Sequence, residues 1–479
     1  MRVSFPFDRV AVFVFALFVL MPPHVMAEDN VPLDEIVNGF DEDDQSEYEW
    51  PGISGGFEND VYPVPAAPTV KNGLSDFSID GHVKIGSSVN IAHSAPKAGE
   101  TDWRGLSRLR PEIQIELTAR LLESWKAFIT GRGYYDCAYG FKGRSKFTDD
   151  VLDNFEREAE LGETYIQGSL TKEIDFKLGR QIIVWGKSDN IRVTDVLNPL
   201  DLREPGITDI EDLRLPVAMS RLDYYTGDWS LTGISIHEVR FNKNPEYGSD
   251  FYPFSFAPPN EVIPSDSLRN TQYAVAVNGI FSGWDIAFYY AYYFDHLPHM
   301  ERISNIPAVE LKHSRVNMLG SAYNIALGNW LLKGEVAFLE GMEFFNSAGR
   351  SYSRTDILAG IEYSGFQDTI VGFEAVNRRM NNFDKILKQF PDNANKNEFQ
   401  TAIRLEKDFL NETLKLTVLA TTFDTTGDDG AMQRFSARYD ITDAVEINGG
   451  VVLYQSGDLT GYSNIGDNDR LFLEAKYSF

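Results

Sequence analysis

The most constraining feature of this sequence is an alternation of apolar and polar residues that runs from residue 77 to the C-terminus. Phe77, Ile79, Val83 and Ile85 fall in one phase of the first stretch, and polar side chains occupy the other phase. A period of two places successive side chains on opposite faces of a β-strand. The pattern therefore predicts an all-β fold whose strands have one dry face and one wet face.

Eighteen such strands are predicted, and the connections between them alternate between short and long. The short ones are tight turns such as Gly227-Asp228, whereas the long ones are polar and rich in Asp, Asn, Gly and Pro. This alternation over antiparallel pairs is typical of an outer-membrane β-barrel, with turns in the periplasm and loops outside. We predict an antiparallel transmembrane barrel of about 18 strands over residues 75–479. Sixteen strands is the alternative, if the weaker strands 160–170 and 216–226 lie elsewhere.

The last strand favours a membrane barrel over a soluble β-sandwich, β-helix or propeller. The chain stops on Phe479, with Tyr477 two residues earlier in the same phase. This ending resembles the signal by which Gram-negative bacteria recognise barrels for insertion, so we expect the barrel-assembly machinery to be a partner through Phe479. Solenoids and propellers repeat a motif every 20–50 residues, and the sequence contains no such motif. Aromatic residues near predicted strand ends fit interface girdles: Trp125, Trp185, Trp229, Trp284, Trp330 and Tyr477.

The N-terminal 27 residues are predicted to be a secretory signal peptide. An unbroken apolar run of 12 residues, 10–21, follows Arg2 and Arg9, and Val25-Met26-Ala27 provides a cleavage site. Twelve residues are too few to cross a bilayer core of about 30 Å, which argues against a membrane anchor. Export and the barrel pattern together predict the outer membrane of a Gram-negative bacterium, with its lipid around the barrel.

Residues 28–74 are predicted to be an acidic periplasmic segment. Residues 28–70 hold 12 acidic residues and five prolines but no Lys or Arg. Charge repulsion and proline both oppose a packed core. Two interpretations stay open: a disordered linker, or an amphipathic arm that docks on a periplasmic partner or folds into the barrel lumen. The arm would use the apolar residues Val31, Leu33, Ile36, Val37 and Phe40.

Charge and cysteine content exclude several classes of function. The formal net charge of −27 (44 basic against 71 acidic residues) argues against nucleic-acid binding, which needs clustered Lys and Arg. A single cysteine, Cys137, excludes an intramolecular disulfide and a Cys-based zinc site. The histidines form no Ser-His-Asp arrangement of recognisable spacing, and the pair His296 and His299 lacks a third ligand beyond Asp295. We therefore predict no enzyme, no metal site and no cofactor.

Charged residues of the polar phase are predicted to face the lumen, because a charge facing lipid at the midplane costs about 2–4 kcal/mol. Two roles stay open for them. In the first role, inward-facing arginines attract anions or bind a carboxylate or phosphate group of a solute. In the second role, acidic and basic side chains form salt bridges that stabilise the barrel wall. The candidates on predicted strands, which include 174–186 and 229–241, are Arg108, Arg110, Glu112, Glu116, Arg120, Arg180, Glu238, Arg240, Arg404, Arg434 and Arg438.

Residues 187–215 are predicted to fold into the barrel as a constriction. This connection carries six aliphatic residues between residues 191 and 202, which a solvated surface loop does not need. A second long connection, 242–269, is rich in aromatic residues and proline, and it is expected to form an extracellular lid or a hydrophobic ligand contact. The charged residues expected at the constriction are Asp189, Arg192, Asp195, Asp201 and Arg203.

Residues 177–186 (KLGRQIIVWG) and residues 195–201 (DVLNPLD) resemble a family of proteobacterial outer-membrane barrels known as a domain of unknown function. In that family a GRQ…WG strand leads into an NP.D loop. Arg221, Tyr224-Tyr225 and residues 33–40 look similar as well. The resemblance implies a barrel that is often associated with resistance-nodulation-type systems for lipids or hydrophobic compounds, and hence a periplasmic or inner-membrane transport partner. It implies no catalytic residues.

These features together predict a porin-like channel that passes small solutes or hydrophobic compounds by diffusion. Residues 187–215 would set its narrowest point, and lumen charges would set its selectivity. The alternative belongs to another class: a structural or assembly component, whose barrel anchors the acidic arm 28–74 so that it docks an envelope lipid-transport partner.

Overall fold

A computed structural model describes residues 77–97, 100–208, 210–303 and 308–479, without the side chains of residues 210 and 211. The expected signal peptide, 1–27, and acidic segment, 28–74, lie outside these residues and stay predictions. Within the described ranges, no helix is long and apolar enough to cross a membrane.

Eighteen antiparallel strands form one sheet that closes on itself where the last strand pairs with the first. The predicted count of 18 is confirmed, and 16 is wrong, because both weaker strands belong to the wall. The strands are β1 (Phe77–Asn90), β2 (Gly105–Leu122), β3 (Trp125–Tyr135), β4 (Arg157–Ser169), β5 (Ile174–Gln181), β6 (Val217–Thr226), β7 (Trp229–Ile236), β8 (Gln272–Phe281), β9 (Trp284–Phe294), β12 (Arg315–Leu327), β13 (Trp330–Glu343), β14 (Ser351–Phe366), β15 (Thr369–Met380), β16 (Asn397–Phe409), β17 (Leu414–Phe423), β18 (Gly430–Thr442), β19 (Val445–Gln455) and β20 (Arg470–Ser478).

The remaining elements lie in the long connections. Strands β10 (His299–Arg302) and β11 (Val309–Lys312) form a separate hairpin between β9 and β12. Short helices α1 (Ala138–Lys142) and α2 (Asp149–Val151) and a π-helical turn (Leu152–Glu156) lie between β3 and β4. The 3-10 turns are Arg144–Lys146, Ile210–Leu213, Leu268–Asn270, Phe345–Ser347, Lys385–Lys388 and Thr460–Tyr462.

The outward face of the wall is an apolar belt, as the alternation predicts. On β9, Phe288 is 47% exposed whereas its neighbour Ala287 is 1% exposed, so the larger apolar side chain points away from the interior. Aromatic pairs mark the short-turn end of the belt: Trp284 stacks on Phe281 at 4.3 Å between ring centroids. A closed sheet with an apolar outside and an aromatic girdle has the form of an outer-membrane barrel.

Phe288→Arg is expected to destabilise the barrel by about 2–4 kcal/mol, because the cation would face lipid near the middle of β9. The measurement is equilibrium unfolding by urea of the protein folded into lipid vesicles. The matched control is Thr417→Arg on β17, whose side chain faces inward. Equal destabilisation by both variants would contradict the assignment of the outer face.

Half of the barrel interior is a dry apolar core. Each of nine consecutive wall strands, β6 to β16, contributes buried inward-facing apolar side chains, mostly small, such as Ala276, Ala291 and Val376, beside isolated charged ones such as Glu335 and Glu374. They pack against Trp185 and the aliphatic residues that follow it. The inward phase of these strands is therefore not polar throughout, because a segment of the chain covers it. The covering residues are Ile183, Trp185, Ile191, Val193 and Leu197.

Two strands end earlier than predicted. Strand β5 ends at Gln181 rather than 186, and β7 ends at Ile236 rather than 241. After Gln181 the backbone leaves the sheet, and the Ile183 N–H donates to Asn198 Oδ1 at 2.8 Å instead of to a neighbouring strand. Trp185 is consequently no girdle residue: it is buried inside the barrel and stacks on Tyr289 at 4.7 Å between ring centroids.

Candidate functional site in the barrel lumen

Residues 187–215, here named the constriction segment, contact inward-facing side chains on opposite sides of the barrel. The first attachment is Glu335 on β13, whose carboxylate is buried. Its Oε1 accepts the N–H groups of Lys187 and Ser188 at 2.6 and 2.8 Å. Its Oε2 accepts the N–H and the hydroxyl of Thr194 at 3.0 and 2.7 Å. A buried carboxylate with four donors fixes the backbone that surrounds it.

The second attachment is Glu374 on β15, which is also buried. Its Oε1 accepts the Asp189 N–H at 2.9 Å, and its Oε2 accepts the Ser188 hydroxyl at 2.7 Å and the Asn190 N–H at 3.0 Å. Nearby, Lys333 on β13 forms an ion pair with Asp189. Sequence reasoning missed both glutamates, because nothing in the sequence distinguishes them from other inward-facing acids.

The far end of the constriction segment is attached across the lumen. Glu204 accepts from Arg110 on β2 at 2.9 Å, and Arg203 pairs with Glu158 on β4 at 2.8 Å. The Tyr454 hydroxyl on β19 donates to the Pro205 carbonyl at 2.5 Å. The segment therefore spans the interior from β13 and β15 to β2, β4 and β19.

Electrostatics keep the Glu204 end of this bridge charged. Burial acts to raise the pKa of Glu204, but Arg110, followed by Arg108 and Arg470, outweighs it and lowers the pKa to about 2. Arg203 in turn also pairs with Asp201 at 2.6 Å. The attachment of Glu204 to Arg110 is thus an ion pair at neutral pH.

The motif residues that carry the family resemblance have structural roles. Asn198 is fully buried; its Oδ1 accepts from Ile183, and its Nδ2 donates to the carbonyl oxygens of Gln181 and Leu215 at 3.2 and 2.9 Å. Asp195 forms an ion pair with Arg192, with 3.0 Å between Nε and Oδ2, and accepts a hydrogen bond from Arg214 at 2.9 Å. These contacts close the base of the segment where it leaves and rejoins the wall.

Most predicted lumen charges contact a charged, polar or aromatic side chain of the interior. Arg108 lies 3.5 Å from Glu474, and Arg180 Nε donates to Glu238 at 3.0 Å. Glu238 and Arg240 follow the end of β7 rather than lying on it, because that strand stops at Ile236. The remaining contacts are Glu112 with Lys84 (3.3 Å), Glu116 with Gln114 (2.8 Å), Arg240 with Glu160, Arg404 with Glu406 (2.7 Å), Arg438 with Glu446 (3.7 Å) and Arg434 over the Phe472 ring (5.3 Å). The side chain of Arg120 is exposed at the short-turn end of the barrel.

Part of this charged wall stays accessible to solvent. The side chains of Lys84, Lys476 and Arg438 are 24%, 34% and 45% exposed although they face inward. Together with their partners Glu112 and Glu446 they lie on five consecutive wall strands, β18, β19, β20, β1 and β2, opposite the dry core. We name this set the polar lane; its members are His82, Lys84, Glu112, Arg438, Glu446 and Lys476.

The long connection between β7 and β8 reaches over the outer mouth to β20. Asp250 in this connection pairs with Arg470 at 2.8 Å, and Phe251 packs against Tyr454 at 5.4 Å between ring centroids. The connection before β12 also folds inward: His296 Nε2 lies 3.0 Å from the Val196 carbonyl oxygen. Burial, followed by the charge of Arg192, lowers the pKa of His296 to about 3, so the imidazole is neutral.

One family profile matches residues 104–479, more than three quarters of the chain, and its description is "Protein of unknown function (DUF1302)". The chain belongs to the DUF1302 family. This confirms the predicted resemblance to outer-membrane barrels of unknown function. No curated protein matches the DUF1302 chain.

Solved porins share the fold of the DUF1302 barrel at low sequence identity. A BenF-like porin from Pseudomonas fluorescens Pf-5 is 12% identical, with a TM-score of 0.51 over 84% of this chain and 98% of the porin. OccK9 (OpdG) from Pseudomonas aeruginosa is 11% identical, with the same TM-score and coverage. These likenesses show the fold, and with the apolar belt they identify the DUF1302 protein as an outer-membrane barrel of a Gram-negative bacterium.

Proposed function

We propose that the DUF1302 barrel is a non-enzymatic diffusion channel whose passage follows the polar lane beside the constriction segment. The observation that carries the proposal is the division of the interior into a dry core and a partly accessible charged wall. The constriction segment covers the dry half, so a solute would meet the lane. An apolar solute would have to remove water from charged groups there, which is unfavourable. We therefore propose small polar solutes rather than hydrophobic compounds.

The partners of this channel are proposed from the two surfaces that a barrel presents. Membrane lipid surrounds the apolar belt, and the barrel-assembly machinery recognises the strand that ends at Phe479. A docking role for residues 28–74 concerns residues outside the described ranges and stays the alternative prediction.

The test is electrical recording of the purified protein in planar bilayers. Discrete conductance steps are expected, and deletion of residues 28–74 is expected to leave them unchanged. The absence of any ion or solute flux through the folded barrel would refute the channel. A folded barrel that conducts nothing with or without residues 28–74 would favour the alternative.

Lys84→Glu combined with Lys476→Glu is expected to shift the channel towards cations. The lane holds three strong bases and two acids, a charge of 3 − 2 = +1, and the double reversal makes it −3. Charge along a narrow passage sets local ion concentration, so the reversal potential in a KCl gradient should move towards the potassium value. Lys97→Glu with Lys172→Glu, on exposed connections, is the control with the same net charge. An equal shift in both variants would contradict a conducting lane.

A further inference from the structure

The imidazole of His313 joins two parts of the β7–β8 connection to the end of β9. Its side chain has no solvent exposure, and its ring lies parallel, within 4°, to that of Phe241, shortly after β7. Nδ1 lies 2.6 Å from the Asp295 carbonyl oxygen. Nε2 lies 2.8 Å from Oε1 of Glu261, on the returning limb of the connection, which we define as residues 257–263. Contacts at both ring nitrogens fix the orientation of the ring.

These two contacts require one proton more than a neutral imidazole beside an ionised carboxylate provides. A carbonyl oxygen only accepts, so Nδ1 must carry a hydrogen. A neutral imidazole then has a lone pair on Nε2, and an ionised carboxylate also only accepts. The contact between His313 and Glu261 therefore holds a proton, on the ring or on the carboxyl group. The parallel Phe241 ring favours the imidazolium, because an aromatic face attracts a cation.

The returning limb buries little surface of its own. Six of the seven residues 257–263 are exposed, so few apolar contacts hold the limb in place. Besides the contact with His313, two backbone hydrogen bonds attach it to Leu311 on β11, through the Val262 N–H and the Asn260 carbonyl, each 2.9 Å long. Segments with few buried contacts open locally while the rest of the protein stays folded. Loss of the His313 contact is thus expected to release this limb.

We infer that His313 and Glu261 form a proton-dependent clamp, which holds the returning limb against the β10–β11 hairpin and releases it when the shared proton is lost. Loss of the proton leaves the Nε2 lone pair facing the carboxylate, and two acceptors without a donor between them are unfavourable. The closed state holds the additional proton, so it is favoured at low pH and loses that advantage as the pH rises. The limb belongs to the connection that reaches over the outer mouth, so control of passage by the clamp rests on the channel proposed above.

Other titratable groups lie around this pair. Burial, followed by the charge of Arg192, lowers the pKa of His296 to about 3, so that ring is neutral above about pH 5. Burial also lowers the pKa of His299. Burial raises the pKa of the Asp295 and Glu246 carboxyl groups, so their ionisation is the rival source of a pH effect. The remaining charged groups on the neighbouring elements are Lys312, Arg315, Glu343 and Arg354.

The test is amide hydrogen exchange, read by mass spectrometry, of the mature protein in detergent micelles. Exchange is measured at about pH 5.5 and about pH 9, on either side of the ordinary imidazole pKa of about 6.5. After correction for the chemical rate, the Val262 and Leu311 amides are expected to lose protection about tenfold or more at the higher pH, since a hydrogen bond to a charged group is lost. The Lys243 and Leu202 amides are the internal reference, because they form another parallel bridge of the same connection without a histidine.

Substitutions separate the proton from the rest of the fold. Glu261→Gln is expected to keep the Val262 and Leu311 amides protected at both pH values, because its amide N–H donates to the neutral ring. His313→Phe keeps a ring beside Phe241 but cannot bond to Glu261, so protection is expected to be low at both. Asp295→Asn, Glu246→Gln and His299→Gln are the controls, and they should keep the pH effect of the wild type.

Four outcomes would overturn the inference: equal protection of the wild type at both pH values, loss of protection by Glu261→Gln at the higher pH, full protection of His313→Phe there, or absence of the pH effect from a control. Migration of unheated samples in electrophoresis shows whether each variant keeps a folded barrel. Exchange does not require passage, so a barrel whose limb opens with pH but which conducts no ions would refute only the proposed channel.

Discussion

Replacing Glu335 and Glu374 together by alanine is expected to raise the single-channel conductance several-fold. The two carboxylates accept hydrogen bonds from Lys187, Ser188, Asp189, Asn190 and Thr194. Each such bond to a charged acceptor contributes about 1.5–3 kcal/mol. Without them the first turn of the constriction segment loses its attachment to β13 and β15, so the half of the interior that it covers becomes accessible to water and ions.

The measurement is the conductance of the double variant in planar bilayers, together with its open-state noise. Glu446→Ala is the control, because Glu446 is an inward carboxylate that contacts Lys476 and Arg438 rather than the segment. A folded double variant with wild-type conductance would show that the segment does not limit the current.

Deleting Phe479 is expected to lower the amount of folded barrel in the outer membrane more than tenfold. Phe479 contributes two things at the seam between β20 and β1. Its backbone exchanges two hydrogen bonds with Gly81, both 2.9 Å long. Its ring lies on the apolar outer surface, where the terminal aromatic residue is predicted to be recognised for insertion.

Phe479→Ala separates the two contributions, since it keeps the backbone bonds and removes the ring. If recognition of the ring dominates, this variant assembles as poorly as the deletion, whereas Phe479→Tyr assembles normally. The readout is heat-modifiable barrel in isolated outer membranes. Normal assembly of the deletion variant would exclude both contributions.

The strand count was predictable from sequence because alternation and turn chemistry are local properties. The apolar core inside the barrel was not predictable in this way. On β9 both phases are apolar, with Phe288 outside and Ala287, Tyr289 and Ala291 inside. Alternation cannot tell which of two apolar faces meets lipid and which meets another part of the chain. For the same reason Trp185 was assigned to the girdle although it lies in the core.

Of the candidate site, only the segment that folds inward was predictable from sequence, and its partners on the barrel wall were not. Aliphatic residues in a connection indicated that residues 187–215 fold inward, and they do. Their partners Glu335 and Glu374 are more than 140 residues away along the chain, and each looks like any other inward acid. The contacts depend on where β5 ends and how far the backbone turns inward, which no local pattern encodes.

The division of the interior has a consequence for the order of assembly. The nine strands that surround the dry core are consecutive along the chain, so a curved open sheet can bury that core as soon as the constriction segment lies against it. The polar lane is different: it straddles the seam, with Lys476 on β20 opposite Lys84 on β1. The middle of the chain can thus fold around its core as a soluble protein does. The polar lane, in contrast, forms only when β20 pairs with β1 and closes the barrel.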